Sequence, residues 1–184
     1  AASRRWSTGA GSDAAAEAPA KSTGALPAGA LSADHETALR TASAAADAWR
    51  SQRAAERAIR VGRLALGTAS ARDRLIEVLA AETGGPIAVL DAEVSGAVDA
   101  ARYLGQLAAG LGAVRGAEFR PDRLALVVAD SGVPLAERAE AMLAALAAVS
   151  RALLAAHPDI ARSSAALIEE WQAAGLPPGT AALV

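Results

Sequence analysis

The last third of the chain alternates short apolar runs with amphipathic stretches, and this order constrains the fold more than any other feature. Residues 124–128 form a continuous apolar run, which predicts a strand buried on both faces. The sequence then predicts a helix over 135–149, a weaker strand over 151–156, a helix over 161–174 and a strand over 180–184. Together these segments predict half of a doubly wound parallel sheet.

Residues 117–184 are therefore expected to form a partial βαβαβ unit of the Rossmann-like type. The chain stops inside the third predicted strand, and a parallel sheet needs neighbouring strands and cover on both faces. We accordingly expect a sheet that is incomplete at its C-terminal end. We also expect residues 124–128 and 180–184 to lie side by side as neighbouring strands. The fold class is α/β, with a helical segment preceding this half-sheet.

The helical segment covers residues 32–116. Ser32 is a suitable N-cap for its first helix. Gly84 and Gly85 followed by Pro86 indicate the end of one helix and the beginning of the next. Apolar positions at helical spacing predict helices at about 32–49, 52–67 and 71–82, and a fourth with an apolar face over 90–108.

Residues 1–31 have a different character from the rest of the chain. They consist mainly of Ala, Gly, Ser, Thr and Pro and contain hardly any large apolar side chains. Such a segment buries too little surface to offset the entropy lost on ordering, unless it lies on a partner. The sequence therefore predicts a flexible tail or an extended arm.

Charge and hydropathy exclude two classes of partner. Lys and Arg total 18 against 20 Asp and Glu, a net charge of −2, so the basic excess of a dedicated nucleic-acid binder is missing. Arg53, Arg57, Arg60 and Arg63 share one helical face, which we interpret as a solvated face. The longest apolar run, 141–149, is half the length that a membrane span needs. With no secretory signal visible, a cytoplasmic location is expected.

The sequence offers few groups for catalysis or metal binding. It contains no cysteine, which excludes thiolate metal sites and a cysteine nucleophile within this chain. Its two histidines, His35 and His157, are far apart and neither has a neighbouring His or Cys, so no metal site is predicted and an exposed or capping role is expected for each. The carboxylates on predicted helices are interpreted as surface charge, and Glu169 and Glu170, being adjacent, as pointing apart. That set comprises Glu82, Glu93, Asp99, Glu169 and Glu170.

Several short motifs, taken in order, resemble the N-terminal part of the aldehyde dehydrogenase superfamily. No single motif is specific, but their order extends over almost the whole chain. The family pattern "AWR…AER…RDEL…ETGKP" is similar to Ala48-Trp49-Arg50, Ala55-Glu56-Arg57, Arg72-Asp73 and Glu82-Thr83-Gly84 followed by Pro86. Near the C-terminus, residues 173–179 resemble the family's "EAGLPPG" turn, which leads into the third strand.

The resemblance implies an NAD(P)-linked oxidoreductase fold, with cofactor contacts falling on Ala129, Ser131 and His157. The family's oxyanion asparagine aligns with Gly132, which has no side-chain amide to donate. His157 replaces the lysine that contacts the adenosine ribose. The family's glycine-rich phosphate turn, catalytic glutamate and nucleophilic cysteine align beyond Val184. The expected cofactor is thus NAD(P) by resemblance only, or none, and no catalytic residue is assigned.

These departures favour a degenerate, non-catalytic copy that serves a structural or assembly role. Its expected partner is an aldehyde-dehydrogenase-like chain, in a homo- or hetero-oligomer. A second hypothesis is an N-terminal fragment of a working NAD-dependent aldehyde dehydrogenase whose catalytic half lies outside this chain. A third is that the likeness is accidental and the chain is an alanine-rich helical interaction module without a nucleotide-binding sheet.

Overall fold

The structure, a computed structural model, describes residues 47–111, 124–148 and 151–184. Its helical layer consists of α1 (Ala54–Ser70), α2 (Arg72–Thr83) and α3 (Ile87–Gly110), preceded by helical residues 47–50. The sheet unit consists of β1 (Leu124–Ala129), α4 (Leu135–Ala147), β2 (Arg151–Ala156), a 3-10 turn (Pro158–Ile160), α5 (Ala161–Ala173) and β3 (Ala181–Leu183). The predicted arm over 1–31, His35 and most of the predicted first helix lie outside the described residues.

Helix boundaries in the helical layer follow the glycine and proline signals closely. Gly84 closes α2 in the left-handed region at φ 65°, a conformation that costs glycine little. Pro86 then stands at the N-cap of α3. The exception is α1, which continues past Gly67 to Ser70. A Cβ at Gly67 would lie 2.7 Å from Cβ of Ala174, so this glycine permits close packing against the end of α5 and does not terminate its helix.

The three strands form one parallel sheet in the order β1-β2-β3. In register, Leu126 pairs with Leu153, and Leu153 pairs with Ala182. The expectation that 124–128 and 180–184 are neighbours is therefore wrong, because β2 lies between them. Each crossover places the next strand beside the one just completed, and two crossovers in the same direction produce the strand order of half a doubly wound sheet.

Within the part of the chain that the structure describes, one face of this sheet is covered and the other is not. On that face Ala152, Leu154 and Ala181 are buried beneath α4 and α5. The opposite face of β1 carries Leu124, Leu126 and Val128, whose exposures are 49%, 59% and 76%; we name these three residues the open face. The prediction of a strand buried on both sides is thus wrong for β1. Two crossovers of one hand and one direction place both helices on the same side of the sheet.

Short side chains and two tryptophans join the helices. A Cβ at Gly105 of α3 would lie 3.0 Å from the backbone nitrogen of Gly62, so α1 and α3 cross almost backbone to backbone. Trp171 is buried in α5 and donates its indole N–H to Oγ1 of Thr68 in α1 over 3.0 Å. Trp49 donates to the carbonyl oxygen of Leu146 over 3.0 Å. These contacts fasten the helical layer to the helices that cover the sheet.

Candidate functional site

The carboxyl ends of the parallel strands and the N-termini of α4 and α5 meet at one edge, here named the carboxyl edge. In open α/β sheets, ligands bind in the crevice outside this edge. The backbone N–H of His157, just after β2, donates to the carbonyl oxygen of Ala129, the last residue of β1, over 2.9 Å. Two of the three predicted cofactor positions, Ala129 and His157, are thereby in direct contact.

Ser131, the third predicted position, lies in an exposed turn two residues beyond β1. Its backbone N–H donates to Oδ1 of Asp130 over 2.8 Å. The N–H of Val133 donates to the carbonyl oxygen of Asp130 over 3.1 Å, which closes the turn. Ser131 therefore shares the carboxyl edge with Ala129 and His157, and the side chain next to it is an acidic one.

His157 takes the capping role that the sequence allowed. It precedes the 3-10 turn, and its Nδ1 accepts the backbone N–H of Asp159 over 3.3 Å. The imidazole occupies the position where the resemblance places a lysine. It is shorter than a lysine side chain, and its Nδ1 already accepts a hydrogen bond. The carboxylate of Asp159 lies 3.4 Å from the same nitrogen. The turn after β2, like the turn after β1, therefore has a carboxylate beside it.

Glu82, interpreted from sequence as surface charge, caps the N-terminus of α5. Its Oε1 accepts the backbone N–H of Arg162 over 2.6 Å, and its Oε2 accepts that of Ser163 over 3.1 Å. The residue at the N-cap position of α5 is Ile160, which makes no side-chain cap. A carboxylate 80 residues away in α2 therefore satisfies two of the four free N–H groups at this helix end.

Glu93 does the same for α4. Its Oε2 accepts the backbone N–H of Leu135 over 2.8 Å, and the local N-cap residue, Pro134, has no side-chain acceptor. Neither carboxylate is therefore mere surface charge. The sequence signal for both contacts is the residue at each N-cap: proline and isoleucine have no side-chain acceptor, so the free N–H groups are left to water or to a distant side chain.

Arg138 lies beneath the carboxyl edge and was not singled out from the sequence. It lies in α4 at 2% exposure. Its Nε donates to the carbonyl oxygen of Pro134 over 3.4 Å and its Nη1 to that of Ile160 over 2.9 Å. Nη1 also donates to Oγ of Ser163 over 3.2 Å and to Oγ of Ser164. One buried guanidinium thus bonds the N-cap carbonyls of both helices.

The electrostatics of Arg138 reflect this position. Burial lowers the pKa of its guanidinium, while the negative charges of Glu82 and Glu93 act in the opposite direction. A buried charge needs such compensation, because transfer out of water otherwise costs more than the hydrogen bonds return. The sequence signal was an arginine in register with the apolar side chains of α4, between Leu135 and Met142.

Two other charged groups differ from their sequence interpretation. Arg57 is not part of a solvated face: it is buried, donates to the carbonyl oxygen of Gln52, and has a pKa lowered by desolvation. Glu169 and Glu170 do not point apart, because both bind the guanidinium of Arg74, Glu169 at 2.7 Å. Adjacent carboxylates on a helix can converge when one long arginine bridges them.

The described residues hold no group of three or more His, Cys, Asp or Glu side chains arranged to bind a metal ion. Among the same residues, no helix has both the length and the apolar character to cross a membrane.

Comparison with known proteins identifies the family. The sequence model of the aldehyde dehydrogenase family matches residues 6–184, nearly the whole chain. The chain belongs to the aldehyde dehydrogenase family. The hypothesis of an accidental likeness without a nucleotide-binding sheet is therefore wrong, since the family match and the parallel sheet both contradict it. A search of curated protein sequences gives no match.

Solved structures agree with the family at the level of fold. Proline utilization A from Bdellovibrio bacteriovorus superposes with a TM-score of 0.71 at 25% identity, covering 80% of this chain and 16% of that one. PnpE, solved in complex with nicotinamide adenine dinucleotide, gives 0.73 at 23% identity, covering 83% and 33%. The 1-pyrroline-5-carboxylate dehydrogenase of Thermus thermophilus gives 0.72 at 22% identity, covering 84% and 32%. This member of the aldehyde dehydrogenase family spans a third or less of each of these structures.

Proposed function

We propose that this chain is a non-catalytic module of the aldehyde dehydrogenase family that serves assembly. The observation that carries the proposal is the open face: three large apolar side chains alternate along β1 and are exposed among the described residues. Parallel sheets are normally covered on both faces, and an apolar patch of this kind marks an interaction surface. This chain spans a third or less of each solved relative. For this reason the partner that we propose for the open face is a chain of the same family.

The occupant that we propose is a second chain of the same family, and specifically another copy of this one. An isologous pairing would bring the Leu124, Leu126 and Val128 row of each copy against the other. The face offers apolar groups flanked by Arg151 of β2 in register with Leu124. Such a surface combines the apolar centre and the arginine that interfaces favour.

Catalytic inertness is the second part of the proposal. It rests on one position within this sequence, because the family's cysteine nucleophile aligns beyond Val184. Gly132, at the position of the oxyanion asparagine, is exposed and offers no side-chain donor. An oxyanion-hole donor of this kind contributes about 3–4 kcal/mol, so its loss removes a large part of the stabilisation that the reaction needs.

NAD(P) is the cofactor that the family implies, and the residues at the carboxyl edge do not fit it. The carbonyl of Ala129 already accepts the His157 N–H, and Nδ1 of His157 already accepts the Asp159 N–H. The remaining side chains include the carboxylates of Asp130 and Asp159, which repel a phosphate. We therefore propose no binding of NAD at micromolar concentrations. A calorimetric titration that detects micromolar affinity would overturn this part.

The assembly role predicts that a charge on the open face disrupts association. In sedimentation equilibrium, Leu126→Lys should weaken self-association at least about tenfold, the equivalent of one lost apolar anchor. Leu107→Lys, at a similarly exposed position in α3, is the matched control and should associate as the wild type does. A monomeric wild type, or equal loss in both variants, rejects the proposal. Aldehyde-dependent NAD reduction above a heat-inactivated control rejects inertness separately.

The second candidate is an N-terminal part of a working NAD-dependent aldehyde dehydrogenase. It is favoured by the share of the solved relatives that the chain covers, a third or less, and by a sheet of three strands. Reading the coding sequence downstream of Val184 tests it directly. A phosphate-binding glycine turn and a cysteine encoded there would support this candidate, and the absence of both would eliminate it.

A further inference from the structure

The two helix N-termini at the carboxyl edge carry carboxylates from the helical layer. Helix N-termini attract anions because their free N–H groups and the helix dipole are aligned. At α5, Glu82 accepts the N–H groups of Arg162 and Ser163, and at α4, Glu93 accepts the N–H of Leu135. The groups that a phosphate would use are thus already bonded to negative charge.

The buried side chain of Arg138 links the two helix N-termini. Arg138 bonds the N-cap carbonyls of Pro134 and Ile160, so the first turns of α4 and α5 are fixed relative to each other. Glu82 and Glu93 are the charges that favour the ionised state of this buried guanidinium. If either carboxylate moved away, the free N–H groups of a helix end and the positive charge of Arg138 would both lose a nearby negative charge. This cost opposes the replacement of the carboxylate by an external anion.

We propose that Glu82 and Glu93 are built-in anions that position the N-termini of α4 and α5 and exclude phosphate groups from them. The inference concerns the N-termini of α4 and α5, which the carboxylates of Glu82 and Glu93 occupy, and is separate from the misfit argued for Ala129 and His157. It concerns ligand exclusion at one edge, whereas the proposed assembly role concerns the open face, so either can fail without the other.

The test uses the whole chain and inorganic pyrophosphate as the probe, with thermal unfolding at constant ionic strength. Glu82→Ala should lower Tm by about 2–4 °C, the shift expected for one lost cap in a chain of this size. Glu93→Ala, which frees one N–H instead of two, should lower it less. Pyrophosphate should then raise Tm in Glu82→Ala and in the double variant, and leave the wild type unchanged.

Glu140→Ala is the matched control, because Glu140 is an exposed carboxylate in the body of α4. It removes the same charge without freeing a helix end, and should show neither the loss of Tm nor the response to pyrophosphate. Glu82→Gln keeps one of the two acceptor oxygens and removes the charge, and it provides a folded variant if alanine prevents folding; its expected Tm lies between those of the wild type and Glu82→Ala. The proposal is overturned if pyrophosphate stabilises the wild type as much as the variants. It is equally overturned if neither glutamate variant differs from Glu140→Ala.

Discussion

The helical layer and the sheet unit differ in how their buried and exposed apolar side chains are arranged. In the layer, α3 is the central helix and buries eight positions against its neighbours, including the close crossing of Gly105 on Gly62. In the sheet unit, α4 and α5 cover one face and Leu126 and Val128 remain exposed on the other. The difference is one of arrangement: the layer also exposes large apolar side chains, among them Leu66 at 64% and Tyr103 at 62%, but those of β1 alternate along one face of a sheet.

Two leucines on opposite faces of the sheet provide the sharpest test of that difference. Leu154 is buried on the covered face and Leu126 is exposed on the open one. Leu154→Ala should lower the free energy of unfolding by about 2–5 kcal/mol, since it leaves a cavity. Leu126→Ala should change it by no more than about 0.5 kcal/mol. Urea titration of the dilute chain measures both, and equal losses would contradict the assignment of an open face.

A second pair of variants tests how tightly α1 packs. Gly67→Ala places a methyl group 2.7 Å from Cβ of Ala174, and the overpacking should cost about 1–3 kcal/mol of unfolding free energy. Gly62→Ala in the same helix meets no atom within 4 Å and should stabilise by about 0.5–1 kcal/mol through helix propensity. Chemical denaturation measures both values; losses of the same sign and size would show that α1 tolerates no side chain at either position.

The smallest expected effect concerns the ion pair between α2 and α3. Nε of Arg72 donates to Oδ1 of Asp91 over 2.6 Å, and this hydrogen bond holds the pKa of Asp91 below its usual 3.8. The group therefore stabilises the fold above pH 3.8 and loses that contribution as the pH falls through the lower folded pKa. Asp91→Asn should lower Tm slightly at neutral pH. The difference from wild type should shrink below pH 3.8, and a constant difference would contradict the pKa argument.

Local patterns in the sequence predicted most of the fold. The bounds of β2 match the predicted 151–156, and the helices of the layer begin and end within a few residues of their glycine and proline signals. Periodicity reports the conformation of a segment and the side of it that is buried. It carries no information about which neighbour a strand selects, and this is why the placement of residues 124–128 beside 180–184 was wrong.

The candidate site was predictable in its location and less so in its chemistry. Ala129 and His157 meet because strand ends in a parallel sheet meet, a consequence of topology alone. The caps provided by Glu82 and Glu93 depend on how the helical layer docks, across separations of 80 and 42 residues. Arg138 was detectable as a charge within an apolar face, but its partners belong to a different helix and its burial only follows from their packing.

The caps that span the molecule have a consequence for the order in which it forms. A helix with its own N-cap residue can begin its first turn locally, on the time scale of helix nucleation. The acceptors for α4 and α5 arrive only after a long stretch of chain has closed, which is a slow, entropically costly event. The N-terminal caps of α4 and α5 are therefore completed only when the helical layer docks against them.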